Sequence, residues 1–147
     1  MTQSVREQLI HAVAQILAPV AELQGAQVLR SPTTGITREQ SPALLIFPES
    51  ETVSPRINDR VERQLVLRMV AVARETAGTA PEAIADVLLV AAHATLFASA
   101  NLAGLCLGIR ELECEWDVED ADAAAAAIPA RYQITYRTLA SDISMIG

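Results

Sequence analysis

The chain has 147 residues, 51% of them hydrophobic, which suits a single domain able to bury roughly 68 to 70% of the surface its unfolded chain exposes. A formal charge of -7, a pI near 4.7 and only 3% aromatic residues exclude both the cationic patch and the stacking platform that direct nucleic-acid binding needs. No apolar run approaches the roughly 18 residues of a membrane span, and MTQSVREQ lacks the basic start and apolar stretch of a secretory signal, so a soluble, intracellular protein is expected.

Ser4 followed by Glu7 is a capping box, and Val5, Leu9, Ala12, Val13, Ile16, Leu17 and Val20 then recur at helical spacing. This predicts an amphipathic first helix that Pro19 should end or bend, because proline lacks the amide donor and crowds the preceding turn. A turn at Gly25 leads to a short strand around Ala26 to Arg30, and Ser31 to Ser41 reads as an exposed loop. Pro42 opens PALLIFP, a brief apolar run bounded by prolines that suits a strand, and Glu49 to Asp59 reads as a second polar loop. Arg60 to Arg74 is a long strand with Leu65, Leu67, Met69, Ala71 and Ala73 on one face and Val66, Val70 and Val72 on the other. Apolar residues on both faces predict a central strand whose C-terminal half is covered on both sides.

Thr79 and Glu82 form a second capping box, with Pro81 tolerated in the first turn of a second helix. Ile84, Val87, Leu88, Ala91 and Leu96 line one face, while Leu89, Val90 and Phe97 spread the apolar surface beyond one stripe. Such a helix needs the sheet on one side and another helix or subunit on the other. After a turn from Asn101 to Gly108, two alternating segments are expected to form a hairpin joined by an alanine-rich loop. Leu112, Cys114, Trp116 and Val118 share one face of the first, opposite Glu111, Glu113, Glu115 and Asp117. Tyr132, Ile134 and Tyr136 share one face of the second. Pairing Val118 with Ala130 sets Trp116 against Tyr132, Asp117 against Arg131 and Glu111 beside Arg137, burying the aromatic face and matching opposite charges. Grouped strands with two helices predict an α+β single domain over residues 1–147, order α-β-β-β-α-β-β, with a mostly antiparallel sheet of about five strands packed against the helices.

Little in the chain carries chemistry. His11 and His93 stand alone, without an HExxH pair or a useful cysteine, so no metal site is expected. Asp117, Glu119, Asp120 and Asp122 lack the glycine and the closing glutamate of a calcium loop. Neither a GxSxG elbow nor a glycine-rich phosphate loop occurs, and no cofactor is expected. Cys106 and Cys114 are too few for a disulfide framework and read as free buried thiols. All eleven basic residues are arginine, a bias that suits a GC-rich genome and also supplies planar forks for carboxylates at subunit contacts.

Taken with the run RVERQLVLRMVAVAR and a last hairpin carrying ECEWDVEDAD and ARYQITYRT, the order of elements from about Val5 to Asp142 resembles the tail terminator proteins of long-tailed phages, the minor tail protein U family. The resemblance implies a non-enzymatic structural protein of a phage or prophage. In that family a hexameric ring caps the finished tail tube, ends its growth and presents a surface to the head connector. The partners it implies are further copies of the chain, the tail tube protein and the head connector protein, with no specific nucleic-acid or membrane binding. The location it implies is the virion tail, after assembly in the bacterial cytoplasm. Candidate assembly residues are the charges at or near the ends of the two polar loops: Arg30, Arg38, Glu39, Glu49, Glu51 and Arg56. Two other readings stay open: a head-tail connector or tail-completion subunit, and a small-molecule binding module whose ligand lies along the apolar face from Val87 to Phe97.

Overall fold

The computed structural model of the protein describes residues 2–32, 40–76, 78–99, 101–116 and 125–147. Helix α1 (Val5–Leu23) is followed by strands β1 (Gln27–Arg30), β2 (Ala43–Val53) and β3 (Arg60–Arg74), helix α2 (Pro81–Ala98), and strands β4 (Gly108–Leu112) and β5 (Ala125–Leu139). The sheet has five strands in the order β1-β2-β3-β5-β4, antiparallel except for the β1–β2 pair. The expected element order, fold class and central β3 are all present.

Ser4 caps α1 as predicted, its hydroxyl accepting from the Glu7 amide at 3.1 Å. The Glu7 carboxylate does not close the box but turns to Arg30 on β1. Val5, Leu9, Val13, Leu17 and Ala21 recur every fourth residue and form the buried stripe of the helix. Of the two effects expected of Pro19, it does not end α1, which continues to Leu23. Pro19 lies on the exposed side, where the carbonyl left without an amide partner stays within reach of water. The chain then turns at Gly25, whose φ of +69° is the left-handed conformation glycine adopts without cost. The second capping box is not formed. Ala80 is the N-cap of α2 and makes no side-chain cap bond, and Pro81 supplies the preset first turn instead.

Both helices sit on one face of the sheet. Along β3 that face carries Leu65, Leu67, Met69, Ala71 and Ala73, all buried, and each lies beside a β5 residue of the same face, among them Ile134, Tyr132 and Ala130. Val5, Leu9, Val13 and Leu17 of α1 and Ala85, Leu88, Ala92 and Leu96 of α2 close over them to form the core. The small Ala71 and Ala73 lie toward one end of this layer, and the two tyrosines, beside Leu67 and Arg63, toward the other. Among the described residues the opposite sheet face carries no helix. Its centre, formed by Leu45, Phe47, Val70 and Val72, is only partly covered, which corrects the expectation that the C-terminal half of β3 is enclosed on both sides.

Three further expectations are corrected. Residues Glu49 to Val53 belong to β2 and are not loop, because the strand runs on through a bulge between Pro48 and Ser50 to pair with Arg63–Val66. The alanine tract contributes its last residues, from Ala125, to β5. The C-terminal hairpin has a different register: Gly108 lies opposite Thr135, Glu111 opposite Tyr132 and Leu112 opposite Arg131. This register lies five residues from the predicted one. An odd shift exchanges the faces, so Glu111 turns toward the helices and Trp116 is left 62% exposed. Arg137 pairs with Glu62 at 3.5 Å instead of Glu111, Arg131 pairs with Glu49 at 3.0 Å, and Cys114 is only half-buried. Asp117, Val118 and the acidic run Glu119, Asp120 and Asp122 lie outside the described residues.

Two prolines sit inside strands, and backbone orientation explains why both are accommodated. The Thr135 and Arg137 carbonyls accept from Leu107 and Gly147, so odd-numbered residues of β5, Pro129 among them, turn their backbone away from β3. The Ile46 carbonyl accepts from Ser31, so even-numbered residues of this part of β2, Pro48 among them, face the β1 side, and β1 ends opposite Ile46. In both cases the missing amide falls where no neighbouring strand is paired among the described residues.

The packing difference between the aromatic residues gives a direct test. Leu65→Ala should cost about 2 to 5 kcal/mol in chemical denaturation, as a buried large-to-small change does. Trp116→Ala should stay within about 1 kcal/mol of the parent, as exposed substitutions do. A Trp116→Ala loss as large as that of Leu65→Ala would restore the predicted register.

Candidate functional site

Six charged residues were candidates for an assembly surface, and their side chains have distinct fates. Arg38 and Glu39 lie outside the described residues. Arg30 forms a two-pronged pair with Glu7 at 2.7 and 3.0 Å, joining β1 to the first turn of α1, and this holds the Glu7 carboxyl below the usual carboxylate range. Arg56 folds back on its own turn, its Nε donating to the Asn58 carbonyl. Glu49 pairs with Arg131 on the open face of the sheet.

Glu51 is the most enclosed of the four that are described, its side chain 12% exposed. Its Oε2 accepts from Arg6 of α1 at 3.1 Å and from Arg63 of β3 at 3.4 Å, and its Oε1 accepts from the Tyr136 hydroxyl of β5. Arg63 continues the network, its Nε donating to the Thr138 hydroxyl at 3.1 Å. One carboxylate therefore ties α1, β2, β3 and β5 together where the apolar core gives out. Sequence reading placed Glu51 in a loop and missed this role. The available signal was that Glu51 falls two residues beyond Glu49 along an extended segment, the spacing of one sheet face. Glu51→Ala should cost about 2 to 3 kcal/mol, the scale of hydrogen bonds to a charged group, with Glu51→Gln falling between the two. Unchanged denaturation midpoints in both variants would remove the network from the account of stability.

A second polar cluster lines a groove of about 620 Å³ between α2 and the β4–β5 edge. Leu89 and Val90 of α2 face Ile128, Pro129 and Tyr132 of β5 across it, with Trp116 at the β4 end. Its polar centre is His93, whose Nδ1 lies 2.9 Å from the Tyr132 hydroxyl and 3.5 Å from the Glu111 carboxylate. Where Nδ1 carries no hydrogen it accepts a hydrogen bond from the Tyr132 hydroxyl, and where it carries one it donates to Glu111. The rings of His93, Phe97 and Tyr132 stack in a tilted group with centroids 4.7 to 6.0 Å apart. Among the described residues no set of three or more histidine, cysteine or acidic side chains converges to hold a metal ion. The half-buried Cys114 thiol also lines the groove. Tyr132 is pushed up to about 12, first by burial and then by Glu111 and Cys114, so its hydroxyl stays protonated at neutral pH.

Tyr136 is raised above the ordinary phenol range as well, by burial and by its bond to Glu51. Both phenols are thus harder to ionise in the folded chain than in the unfolded one, whose ordinary value is 10.0. The folded state therefore keeps its full advantage below about pH 10 and loses it as pH rises toward 12. An ultraviolet titration of the folded protein should show neither tyrosine ionising at pH 10, and the denaturation midpoint should fall between pH 10 and 12. Half-ionised tyrosine in the folded protein at pH 10 would mean that the rings are open to water.

A scan against protein-family models finds no match, and a search of curated proteins finds none either. The functional reading therefore rests on the geometry of the chain itself.

Proposed function

We propose that the protein is a structural subunit of a phage or prophage tail that forms a ring on the tail tube, ends its polymerisation and provides the head-joining surface. The observation that carries this reading is the one-sided architecture. An α+β sheet with helices on a single face leaves Leu45, Phe47, Val70 and Val72 partly uncovered, and Arg68 and Arg131 lie side by side in the middle of that face. Two like charges directly across a ladder are unfavourable by themselves. Here Arg131 is held by Glu49 and by the Glu113 carbonyl, and Arg68 reaches the Cys114 sulfur at 3.8 Å. A partly apolar face studded with arginine has the composition of a surface that another protein covers.

A head-tail connector role would use the same open face. The small-molecule reading draws on the groove, whose size falls within the range of ligand sites.

Capping is required by the way a tube grows. Head-to-tail addition never closes on itself, so tube length is set only when a different subunit covers the last face. Arg68→Glu places an opposite charge beside Arg131 and should leave stability within about 1 kcal/mol of the parent while abolishing the ring on purified tail tubes in electron micrographs. Deleting the gene from an intact phage genome should give overlong tails that fail to join heads. Normal-length, head-joined tails in that deletion would overturn the tail reading.

A further inference from the structure

The groove between α2 and the β4–β5 edge is unevenly charged. Two carboxylates and one guanidinium line it beside His93: Asp86 from α2, Glu111 from β4 and Arg131 from β5. The guanidinium is already engaged, its Nε donating to Glu49 at 3.0 Å and its Nη1 to the Glu113 carbonyl at 2.9 Å. The carboxylates have far less. Asp86 is exposed and makes no hydrogen bond or ion pair among the described residues. The Glu111 carboxylate has one polar partner among them, the Nδ1 of His93 at 3.5 Å. That nitrogen lies closer to the Tyr132 hydroxyl, at 2.9 Å, and while it accepts from the phenol it has no hydrogen to give Glu111. The phenol feels the resulting negative field, since Glu111 is among the groups that raise it.

We infer that the groove is a binding site for a small organic cation, a protonated amine carried on an aromatic or aliphatic body, with the ammonium group on Glu111 and the body along the apolar walls. Three features select that chemistry. A carboxylate that lacks a donor gains most from a charged one, and a neutral ligand of the same shape leaves Glu111 as it is. An anion meets two carboxylates, while the one guanidinium in reach is matched by Glu49. Leu89, Val90, Ile128 and Pro129 offer the body an apolar surface, and Trp116, 62% exposed at the β4 end, offers an aromatic face of the kind that attracts cations. The volume of about 620 Å³ holds a ligand of small-molecule size, and the combination of apolar walls with a few convergent polar groups and a raised phenol is that of a binding site. The inference does not rest on the tail reading.

Trp116 is the only tryptophan of the chain, so its fluorescence reports on the groove directly. Three probes with one body and different charges test the chemistry: phenylbutylamine, phenylbutanol and phenylbutyrate, each titrated into the full chain at neutral pH. The amine should change the Trp116 emission saturably, the alcohol should need about tenfold more, and the carboxylate should give no saturable change. Glu111→Gln, at an exposed position, should bring the amine down to the alcohol and leave the alcohol within about twofold of its parent value, because only the charged contact is lost. Asp86→Asn should weaken the amine alone, and by less. Equal midpoints for amine and alcohol in the parent protein would overturn the inference, as would tightest binding of the carboxylate, a preference for the amine that survives both substitutions, or no saturable change with any probe. A light-scattering mass that falls from two chains to one on Glu111→Gln would give the groove to an arginine of a second copy and overturn it too. All of these readouts are taken on the isolated protein without tail tubes, so a negative result leaves the tail experiment standing, and the reverse holds as well.

Discussion

The ladder between β3 and β5 is the interaction on which the rest of the molecule depends. The two strands pair over fifteen residues each, from Arg60 beside Leu139 to Arg74 beside Ala125, and every other pair supplies the floor on which both helices rest. Among the described residues neither helix has a second sheet or a third helix to bury against. A slip of one residue along that ladder would send Leu67, Met69, Tyr132 and Ile134 to the open face and leave α1 and α2 without a core. The register is held at one end by apolar packing and at the other by Glu51, which accepts from Arg63 of β3 and Tyr136 of β5. Side chains from four elements meet at that carboxylate, so it resists a slip that hydrophobic contacts alone would resist less sharply, since hydrogen bonds fix direction and burial does not.

The same one-sidedness shapes the surface. A chain with 51% hydrophobic residues and a single covered sheet face has more apolar side chains than its core can enclose. Part of the surplus lies at the centre of the open sheet face and part along the outer seam of α2, formed by Val87, Val90 and Phe97, on opposite sides of the sheet. Gathered apolar surface of this kind marks contact sites on soluble proteins. The open face is rimmed and crossed by arginine, and the seam has carboxylates only at one end, so the two surfaces differ in the partners they select. The tail subunit proposed above would need such a difference, because it would meet different neighbours on different sides.

Much of the fold was legible in the sequence because its signals are periodic. The four-residue repeat of α1, the alternation of Leu65, Leu67 and Met69 with Val66 and Val70, and the turn at Gly25 all encode local geometry directly. The hairpin register was not legible. Alternation assigns residues to two faces but does not say which face meets the helices, and Leu112, Cys114 and Trp116 looked like a core face because they are apolar. In the fold, Ile109 takes that position opposite Ile134, and Glu111 follows it to the helix side to meet His93. The groove around His93 was unreadable for a related reason: His93 and Glu111 come from elements whose relative placement depends on the register. Pro19 and Pro48 misled in a simpler way, since a proline interrupts an element only where its missing amide was needed.

Pro129 shows what a misplaced amide can do for a protein in solution. The outer edge of β5 is covered by β4 beside Arg131–Thr135 and by Met145, Ile146 and Gly147 beside Arg137–Leu139, and the stretch before Arg131 has no paired neighbour among the described residues. An uncapped strand edge is a template on which another extended chain can polymerise. Pro129 is buried and has no amide to offer, so at that point β5 presents neither an open edge nor a donor to an incoming strand. A protein proposed to stop the growth of one polymer thus carries in its own sheet a residue that keeps it from starting another.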